Sequence, residues 1–273
     1  MKNLNMFCMS MKENHLKFIK EINYIPVGLG EGEFSKDWIR DNTGDNISEK
    51  NKYYGEYTFH YWLWKNYLDK IGDGWIGFCQ YRKFWSTENH NLLPNSLDQL
   101  RPLILNKIPK SYENYDSILG DEYFINQLKI MKFLKGGFKL IINKPSYLFN
   151  EKKRNIKFHF DLMHGRKNLD KAIELLDNNN RNDFNNFVNQ KVSFNPHNMF
   201  ICKSKQILFD YYSILFPWLK RCEKEFGFEK LAGYGLTRLY GFLAERFMSY
   251  WFQKNTKFKN MPIVFYDISG KID

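Results

Sequence analysis

The chain of 273 residues contains the run Trp75-Ile76-Gly77-Phe78-Cys79-Gln80-Tyr81-Arg82-Lys83, and this run decides the fold. Residues 75–79 are apolar and follow the breaks at Gly72 and Gly74, which is typical of a short central strand. In open α/β sheets, ligands bind outside the carboxyl ends of the strands. Arg offers phosphate a bidentate fork and Lys a point charge. Residues 80–83 therefore predict a phosphate-binding site at the end of this strand.

Further strands and helices are predicted on both sides of this run. Residues 5–9, 23–27 and 198–202 are short extended segments. Residues 54–68 predict a helix with Tyr57, Tyr61, Trp64 and Leu68 on one face, and residues 206–226 predict another, which Pro217 should kink or split. A last helix is expected to end near residue 252. The alternation indicates an α/β fold with a mixed, mostly parallel central sheet and a helical C-terminal part, in one domain over residues 1–273.

The net charge of +11 is unevenly distributed along the chain. Residues 1–90 carry no net charge, whereas residues 129–157 hold nine basic side chains and one acidic side chain. Such a stretch can meet nucleic acid, anionic lipid or an anionic polymer, or it can be an ordinary solvated face. Because no known nucleic-acid-binding module is present, no nucleic-acid partner is expected.

The four cysteines, Cys8, Cys79, Cys202 and Cys222, are too widely spaced for a zinc motif or a small disulfide framework. We therefore expect buried, reduced thiols. There is no apolar run of the roughly 18 residues that a membrane span needs, and no signal-peptide pattern at the N-terminus. The expected location is the cytoplasm.

Several segments occur in one order along the chain. They are Asp41-Asn42-Thr43-Gly44-Asp45-Asn46-Ile47-Ser48, Tyr61-Trp62-Leu63-Trp64-Lys65-Asn66, Cys79-Gln80-Tyr81-Arg82, Asn198-Met199-Phe200-Ile201 and Arg238-Leu239-Tyr240-Gly241-Phe242-Leu243-Ala244-Glu245-Arg246. With them, residues 3–252 resemble a bacterial family catalogued as a domain of unknown function. Its members are associated with capsular and exopolysaccharide gene clusters and are treated as glycosyltransferases. This chain departs from the family at Gln80 and Lys83, where His and Arg are usual.

The resemblance implies a GT-A-like, Rossmann-like three-layer α/β/α sandwich. About residues 1–120 would bind a nucleotide sugar and about residues 121–273 the acceptor. The implied enzyme is a hexosyltransferase-like glycosyltransferase, which moves a sugar from a nucleotide diphosphate donor, expected to be a UDP-sugar, to a capsular polysaccharide, exopolysaccharide or lipid-linked glycan. A non-catalytic saccharide-binding subunit of a capsule complex is the alternative, and a nucleic-acid-binding protein a more distant one. The basic stretch at residues 129–157 would face the acceptor or the inner surface of the cytoplasmic membrane.

The resemblance also implies the residues of the site. GT-A enzymes usually hold a metal and the diphosphate through Asp-x-Asp at the end of the central strand, where this chain has Gln80-Tyr81-Arg82. A leaving diphosphate needs positive charge, from Mg²⁺ or Mn²⁺ or from basic side chains. We expect Arg82 and Lys83 to supply it without a metal, although Asp116, Asp121 or the pair His159 and His164 remain possible ligands. The other expected donor-binding residues are Gly28, Asp45, Asn46, Asn51, Tyr81, Asn198, Arg238 and Arg246. Glu245, Asp121 and His164 are alternative candidates for the base that deprotonates the acceptor hydroxyl.

Overall fold

A computed structural model describes residues 4–89, 93–127 and 150–270 of the chain. The chain divides into two compact units, each built from separate segments. Unit 1 comprises residues 1–121, 197–214 and 252–273, and unit 2 comprises residues 122–196 and 215–251. The prediction of one domain with a donor half and an acceptor half stays a prediction.

Eleven strands lie in the described residues, nine of them in one sheet in unit 1. They are β1 (Leu4–Ser10), β2 (Ile25–Gly28), β3 (Ile39–Arg40), β4 (Trp75–Gln80), β5 (Lys83–Trp85), β6 (Ser117–Gly120), β7 (Tyr123–Phe124), β8 (Ser193–Phe194), β9 (Phe200–Cys202), β10 (Phe258–Met261) and β11 (Ile263–Phe265). The sheet order is β10-β6-β9-β4-β1-β2-β3, with β5 paired to β4 and to β11. The pairs β1–β2, β2–β3, β1–β4 and β6–β10 are parallel, and β9 runs antiparallel to both β4 and β6. The predicted α/β class with a mixed, mostly parallel sheet is confirmed.

The helices occupy both units and fill most of the C-terminal part, as predicted. The α-helices are Leu16–Glu21, Asn51–Tyr54, Tyr57–Trp62, Leu97–Leu100, Ile156–His164, Asn168–Glu174, Asn178–Gln190, Lys205–Phe226, Tyr234–Thr237 and Leu239–Asn255. A π-helical turn, Leu63–Tyr67, follows Tyr57–Trp62 directly. None of the helices in the described ranges is long and apolar enough to cross a membrane.

The sheet of unit 1 has a packed layer on each of its two faces. Successive side chains of a strand point to opposite sides, so each strand contributes to both layers. On one face Met6 and Cys8 of β1 join a core with Phe18, Trp75 and Met199. On the other face Phe7, Phe78 and Phe200 lie side by side across β1, β4 and β9, with ring centroids 5.8 and 5.0 Å apart. Helices bring Phe59, Tyr211 and Phe252 against this aromatic row. Unit 1 is thus a three-layer sandwich.

The cysteines lie in the interior of the two units, three in unit 1 and Cys222 in unit 2, as their spacing predicted. All four cysteines are buried and free, and Cys8 pairs in register with Cys79. His60 is also buried, and its Nδ1 lies 2.6 Å from the Tyr212 hydroxyl. Burial lowers the pKa of His60 to about 3, so the ring is neutral and acts as a packing group.

Unit 2 is mainly helical, with β7 and β8 pairing as a small antiparallel sheet. The Trp218 indole donates to the Ala172 carbonyl at 2.7 Å and packs on Phe184 and Phe247. The Lys205–Phe226 helix continues past Pro217, so Pro217 does not split it, and the kink that was the other predicted outcome stays a prediction. Pro217 is on the exposed side, where water can satisfy the carbonyl that loses its helical partner.

Candidate functional site

Several strand ends meet along one edge of the unit 1 sheet. The strands β1, β2 and β4 are parallel, so their last residues, Ser10, Gly28 and Gln80, lie at the same edge. Asn198 lies there too, because it comes two residues before β9, which runs opposite to β4. We call this the carboxyl edge and treat it as the candidate site, since α/β sheets bind their ligands there.

Gln80, which the sequence placed in the predicted phosphate-binding segment at residues 80–83, is the centre of a polar cluster at the carboxyl edge. Its Nε2 donates to Glu56 Oε1 at 2.7 Å and to the His197 carbonyl at 3.0 Å. Its Oε1 accepts from Lys83 Nζ at 3.2 Å. Gln80 is 6% exposed, so these bonds replace its contacts with water. The structure thus brings Lys83 together with a glutamate that the sequence did not single out.

Residues His197 and Asn198 adopt an unusual backbone conformation beside Gln80. Their φ values are 78° and 56°, in the left-handed region that few residues other than glycine enter. Asn198 is buried, and its Oδ1 has no hydrogen-bond partner among the residues that the structure describes. Burial, together with Lys83, lowers the pKa of His197 to about 3. Two such residues in succession are a feature of functional sites, where local strain is maintained by the surrounding fold.

Arg82 and Tyr81 extend the cluster towards the end of β1. The exposed Arg82 guanidinium lies 4.9 Å from the Tyr81 ring centroid. The Tyr81 ring in turn lies 5.1 Å from the ring of His15, whose Nδ1 is 2.7 Å from Ser10 Oγ. Burial and Lys12 lower the pKa of His15 to about 4, so His15 is neutral at pH 7. The cationic charge at this end of the edge therefore comes from Lys12, Arg82 and Lys83 and not from His15.

The predicted glycine loop after β2 packs against its own chain. A Cβ on Gly28 would lie 2.7 Å from the Phe34 ring, so a side chain there would displace Phe34. Arg40, at the end of β3, donates to the carbonyls of Gly30 at 2.6 Å and Gly32 at 3.0 Å. The lack of a side chain at Gly28 thus serves local packing, and binding of a donor there stays a prediction.

Two of the sequence motifs turn out to be one structural feature. Asn66 Oδ1 accepts a hydrogen bond from the Asp45 backbone amide at 3.1 Å, and Asn66 Nδ2 donates to the Asp45 carbonyl at 2.8 Å. Tyr61 donates to Asp45 Oδ1 at 3.0 Å, and Trp62 donates to Thr43 Oγ1 at 3.0 Å. Asp45 therefore has a structural role in fixing the loop of residues 41–48 against the following helix.

The polar residues on either side of that loop also bond within the chain. Asn46 accepts from the amide and hydroxyl of Ser48, and its amide donates to the Gly44 carbonyl. Asn51 Nδ2 donates to the Gly55 carbonyl at 3.0 Å and to Thr58 Oγ1 at 3.1 Å. These contacts shape the backbone that leads to Glu56, and donor contacts by Asn46 and Asn51 remain predictions.

Asp41 lies at the start of the loop and is fully buried. Neither carboxylate oxygen has a hydrogen-bond partner in the described residues, since the nearby Thr58 hydroxyl donates to the Gly55 carbonyl at 3.2 Å. Burial raises the pKa of Asp41, partly offset by Thr58 and Arg40. Other buried atoms without a partner are also found along this edge, namely His15 Nε2, Asn198 Oδ1 and the Tyr266 hydroxyl. Such a concentration is expected where a ligand completes the hydrogen bonding.

Asp121, a candidate base, follows β6 at the same edge. Both β4 and β6 are antiparallel to β9, so their carboxyl ends lie on either side of the start of β9. Asp121 is exposed to solvent on one side, and the partial loss of water around its carboxyl group raises its pKa. Its position and its pKa both suit a group that accepts a proton.

Unit 2 contains the other two candidate bases in one buried cluster. Arg246, 2% exposed, bonds to Glu245 Oε2, and its guanidinium lies 4.1 Å from the Phe194 ring centroid. Arg246 Nη2 also lies 3.4 Å from His164 Nε2 and from His159 Nδ1. His164 Nδ1 donates to the Gly235 carbonyl at 3.0 Å. Burial and Arg246 lower the pKa of His164 to about 2, so His164 is a weak proton acceptor.

The remaining predicted residues of unit 2 lie partly outside the described ranges. Arg238 lies 5.8 Å from the centroid of the Tyr234 ring, which is 73% exposed. Residues 128–149, most of the basic stretch, are outside the described residues. Within the rest of the stretch, Arg154 is buried against the Asn126 carbonyl and Lys157 pairs with Asp170. Those two side chains thus have internal partners.

The side chains at the end of β4 do not fit a divalent metal. Gln80 is bonded within the cluster, and Arg82 and Lys83 are cations, whereas Mg²⁺ and Mn²⁺ prefer carboxylate and other oxygen ligands. Across residues 4–89, 93–127 and 150–270, no three His, Cys, Asp or Glu side chains group in a way that could hold a metal ion.

Comparison with known proteins assigns the chain to a family. Residues 5–256 match the model of the family described as Domain of unknown function (DUF4422), and the chain belongs to that family. A solved structure, the apo form of the WbbM bifunctional glycosyltransferase, superposes with a TM-score of 0.72 at 20% sequence identity. The match covers 96% of this chain and 45% of that one, so this chain spans less than half of the WbbM chain. No curated protein matches the sequence.

Proposed function

We propose that the chain is a glycosyltransferase whose nucleotide-sugar donor binds at the carboxyl edge. One observation carries the proposal: buried polar atoms without partners and the cations Arg82 and Lys83 share the edge where α/β folds bind ligands. The likeness of the fold to the WbbM bifunctional glycosyltransferase supports the reaction class. The proposed donor is a UDP-sugar, and the proposed acceptor is a capsular, exopolysaccharide or lipid-linked glycan.

In this proposal the two cations stabilise the leaving diphosphate. Negative charge builds on the diphosphate as the bond to the sugar breaks, and preorganised positive charge lowers the barrier to that step. Arg82 is stacked over Tyr81, and Lys83 is bonded to Gln80, so both enter the reaction already oriented. The same charge would otherwise come from a divalent metal, for which these side chains are not suited.

We assign the base that deprotonates the acceptor hydroxyl to Asp121. A raised pKa brings a carboxylate closer to the pH at which it must accept a proton. The Glu245 carboxylate is already bonded to the buried Arg246 guanidinium within unit 2, and His164 has a strongly lowered pKa. The Asp121→Asn variant should therefore keep UDP affinity and lose transfer activity.

A thermal-shift panel tests the donor site directly. UDP, GDP, CMP and dTDP are each added with EDTA, Mg²⁺ or Mn²⁺, because a ligand that binds the native state raises its stability. We expect a shift with UDP that survives EDTA. The Arg82→Ala and Lys83→Ala variants should each weaken UDP by about 10- to 100-fold, the value of a charge-assisted hydrogen bond. Lys17→Ala, an exposed lysine on the Leu16–Glu21 helix, is the matched control.

The outcomes separate the parts of the proposal. A shift that needs Mn²⁺ contradicts the role of the two cations, and no shift with any nucleotide contradicts the transferase itself. Binding to the membrane is proposed through residues 129–157 and should weaken as salt rises. Flotation with anionic vesicles at low and high salt measures it, and salt-independent binding contradicts the electrostatic contact.

A further inference from the structure

We propose that Gln80 is a positioning residue that couples the Glu56 carboxylate to the Lys83 ammonium and fixes where Lys83 meets the donor diphosphate. The inference rests on the proposed function, because the positioning role of Gln80 has meaning only if the donor diphosphate binds at the carboxyl edge. Neither Gln80 nor Glu56 needs to touch the donor for this role.

The chemistry of the partners fixes the orientation of the Gln80 amide. Both groups near Nε2, the Glu56 carboxylate at 2.7 Å and the His197 carbonyl at 3.0 Å, can only accept. The Lys83 ammonium, 3.2 Å from Oε1, can only donate. Turning the amide over would set an NH₂ group against an ammonium and an oxygen against two oxygens. The side chain therefore has one orientation, and its oxygen always faces Lys83.

The other end of the chain of hydrogen bonds is held by the backbone. Glu56 follows Gly55, whose φ of 60° and ψ of −133° suit glycine and re-aim the chain between two helices. Asn51 Nδ2 donates to the Gly55 carbonyl at 3.0 Å and holds this turn. Glu56 is thus placed by local structure, and its position is transmitted through Gln80 to Lys83.

Coupling to a fixed carboxylate benefits a lysine in particular. The lysine side chain has a flexible four-carbon stem and loses rotamer freedom when it binds a ligand. A side chain that is already oriented before the ligand arrives loses less conformational entropy when the ligand binds. The hydrogen bond from Lys83 to Gln80 supplies that orientation in the free protein, so loss of Gln80 should weaken donor binding through Lys83 alone.

A double-mutant cycle on UDP binding tests the coupling. Gln80→Leu keeps a similar side-chain volume without polar atoms, and we expect about tenfold weaker UDP binding by calorimetry. In a Lys83→Met background the same Gln80→Leu change should have no further effect, since its route to the donor is gone. Gln206→Leu is the control, because Gln206 Nε2 also donates to a carboxylate, Asp210, at 2.8 Å but on the exposed face of the Lys205–Phe226 helix. Circular dichroism confirms that each variant is folded.

A second variant gives a readout that a purely structural role would not change. Gln80→Glu places a carboxylate against the Glu56 carboxylate and the His197 carbonyl, with Lys83 as the facing cation and His197 neutral. Two such carboxylates share a proton, so the charge near Lys83 and the affinity for UDP should change with pH between pH 5 and 8. Wild type and Gln206→Glu should show no such added pH dependence.

The outcomes distinguish this inference from the proposed function. Wild type that binds none of the nucleotides contradicts the proposed function. Wild type that binds UDP, with a Gln80→Leu effect as large in the Lys83→Met background as in wild type, overturns the positioning role alone. Gln80→Leu variants that melt earlier but bind UDP as tightly as wild type also overturn it.

Discussion

Replacing Gly44 by alanine tests whether the loop of residues 41–48 is held as the structure shows. Gly44 has a φ of 60°, and a Cβ there would lie 2.2 Å from Asn66 Oδ1. Alanine in a left-handed conformation costs about 1–2 kcal/mol. The displaced Asn66 amide loses its two bonds to Asp45, which are exposed and contribute about 0.5–1 kcal/mol each. Reduced freedom of the unfolded chain returns about 0.5 kcal/mol.

The expected destabilisation by Gly44→Ala is therefore about 1.5–3.5 kcal/mol, which lowers the melting temperature by about 3–14 °C in a protein of this size. Differential scanning calorimetry measures the change. Gly72→Ala is the matched control, because a Cβ there meets nothing within 4 Å, so its stability should stay within about 0.5 kcal/mol of wild type. Asn66→Ala alone removes the amide, and the double variant should be less destabilised than the sum of the two. Equal melting temperatures for Gly44→Ala and Gly72→Ala, or strict additivity with Asn66→Ala, would refute the reasoning.

Three further predictions concern buried groups. The free energy of unfolding of Asp41→Asn should increase relative to that of wild type as the pH rises above 3.8. The reason is that the pKa of Asp41 is raised in the folded protein, so ionisation of the aspartate destabilises the wild-type fold. Urea unfolding at several pH values measures the difference, and parallel pH curves for the two proteins would contradict it. Arg246→Met should cost about 3–5 kcal/mol, because it removes the guanidinium that is bonded to the buried Glu245 carboxylate, and a further Glu245→Leu change should restore part of this loss in chemical denaturation. Gly235→Ala should cost about 1–3 kcal/mol, since a Cβ there would lie 2.2 Å from the Met163 carbonyl oxygen; a melting temperature equal to that of wild type would show that the backbone adapts without cost.

The central strand was predictable because its signal is local. All six residues of β4 are buried, so the apolar run of residues 75–79, which follows the breaks at Gly72 and Gly74, identifies the strand by itself. The positions of β1 and β9 were likewise marked by short apolar runs. The partners of these strands and their directions depend on contacts far apart in the sequence, which composition and periodicity do not specify.

The Asn178–Gln190 helix shows where local signals fail. Asparagine has low helix propensity, and only Phe184 and Val188 mark a buried apolar stripe. The one clear sign is Asp177, whose side chain caps the first turn by accepting from the amides of Asn179 and Asn180. Packing of Phe184 on Trp218 and Phe247 stabilises the helix beyond its intrinsic preference.

The candidate site was predictable only where charge stood at a strand end. Lys83 and Arg82 follow β4 directly, so strand and charge together indicated them. Glu56 and His197 are 24 and 117 residues away from Gln80 in sequence, and nothing in their surroundings distinguishes them from other polar residues. The Gly-Glu pair at residues 55–56 within a helical pattern was the one available sign of a turn that re-aims a carboxylate.

The position of β10 and β11 has a consequence for shortening this protein. The family match ends at residue 256, yet β10 pairs with β6 and β11 pairs with β5 beyond that point. A chain cut at the family boundary would lack two strands and would leave unpaired the edges of β6 and β5 that face β10 and β11. Open strand edges of this kind pair with other molecules, so the cut chain should aggregate during expression. The same arrangement means that the sheet of unit 1 can close only after residues up to Phe265 have left the ribosome.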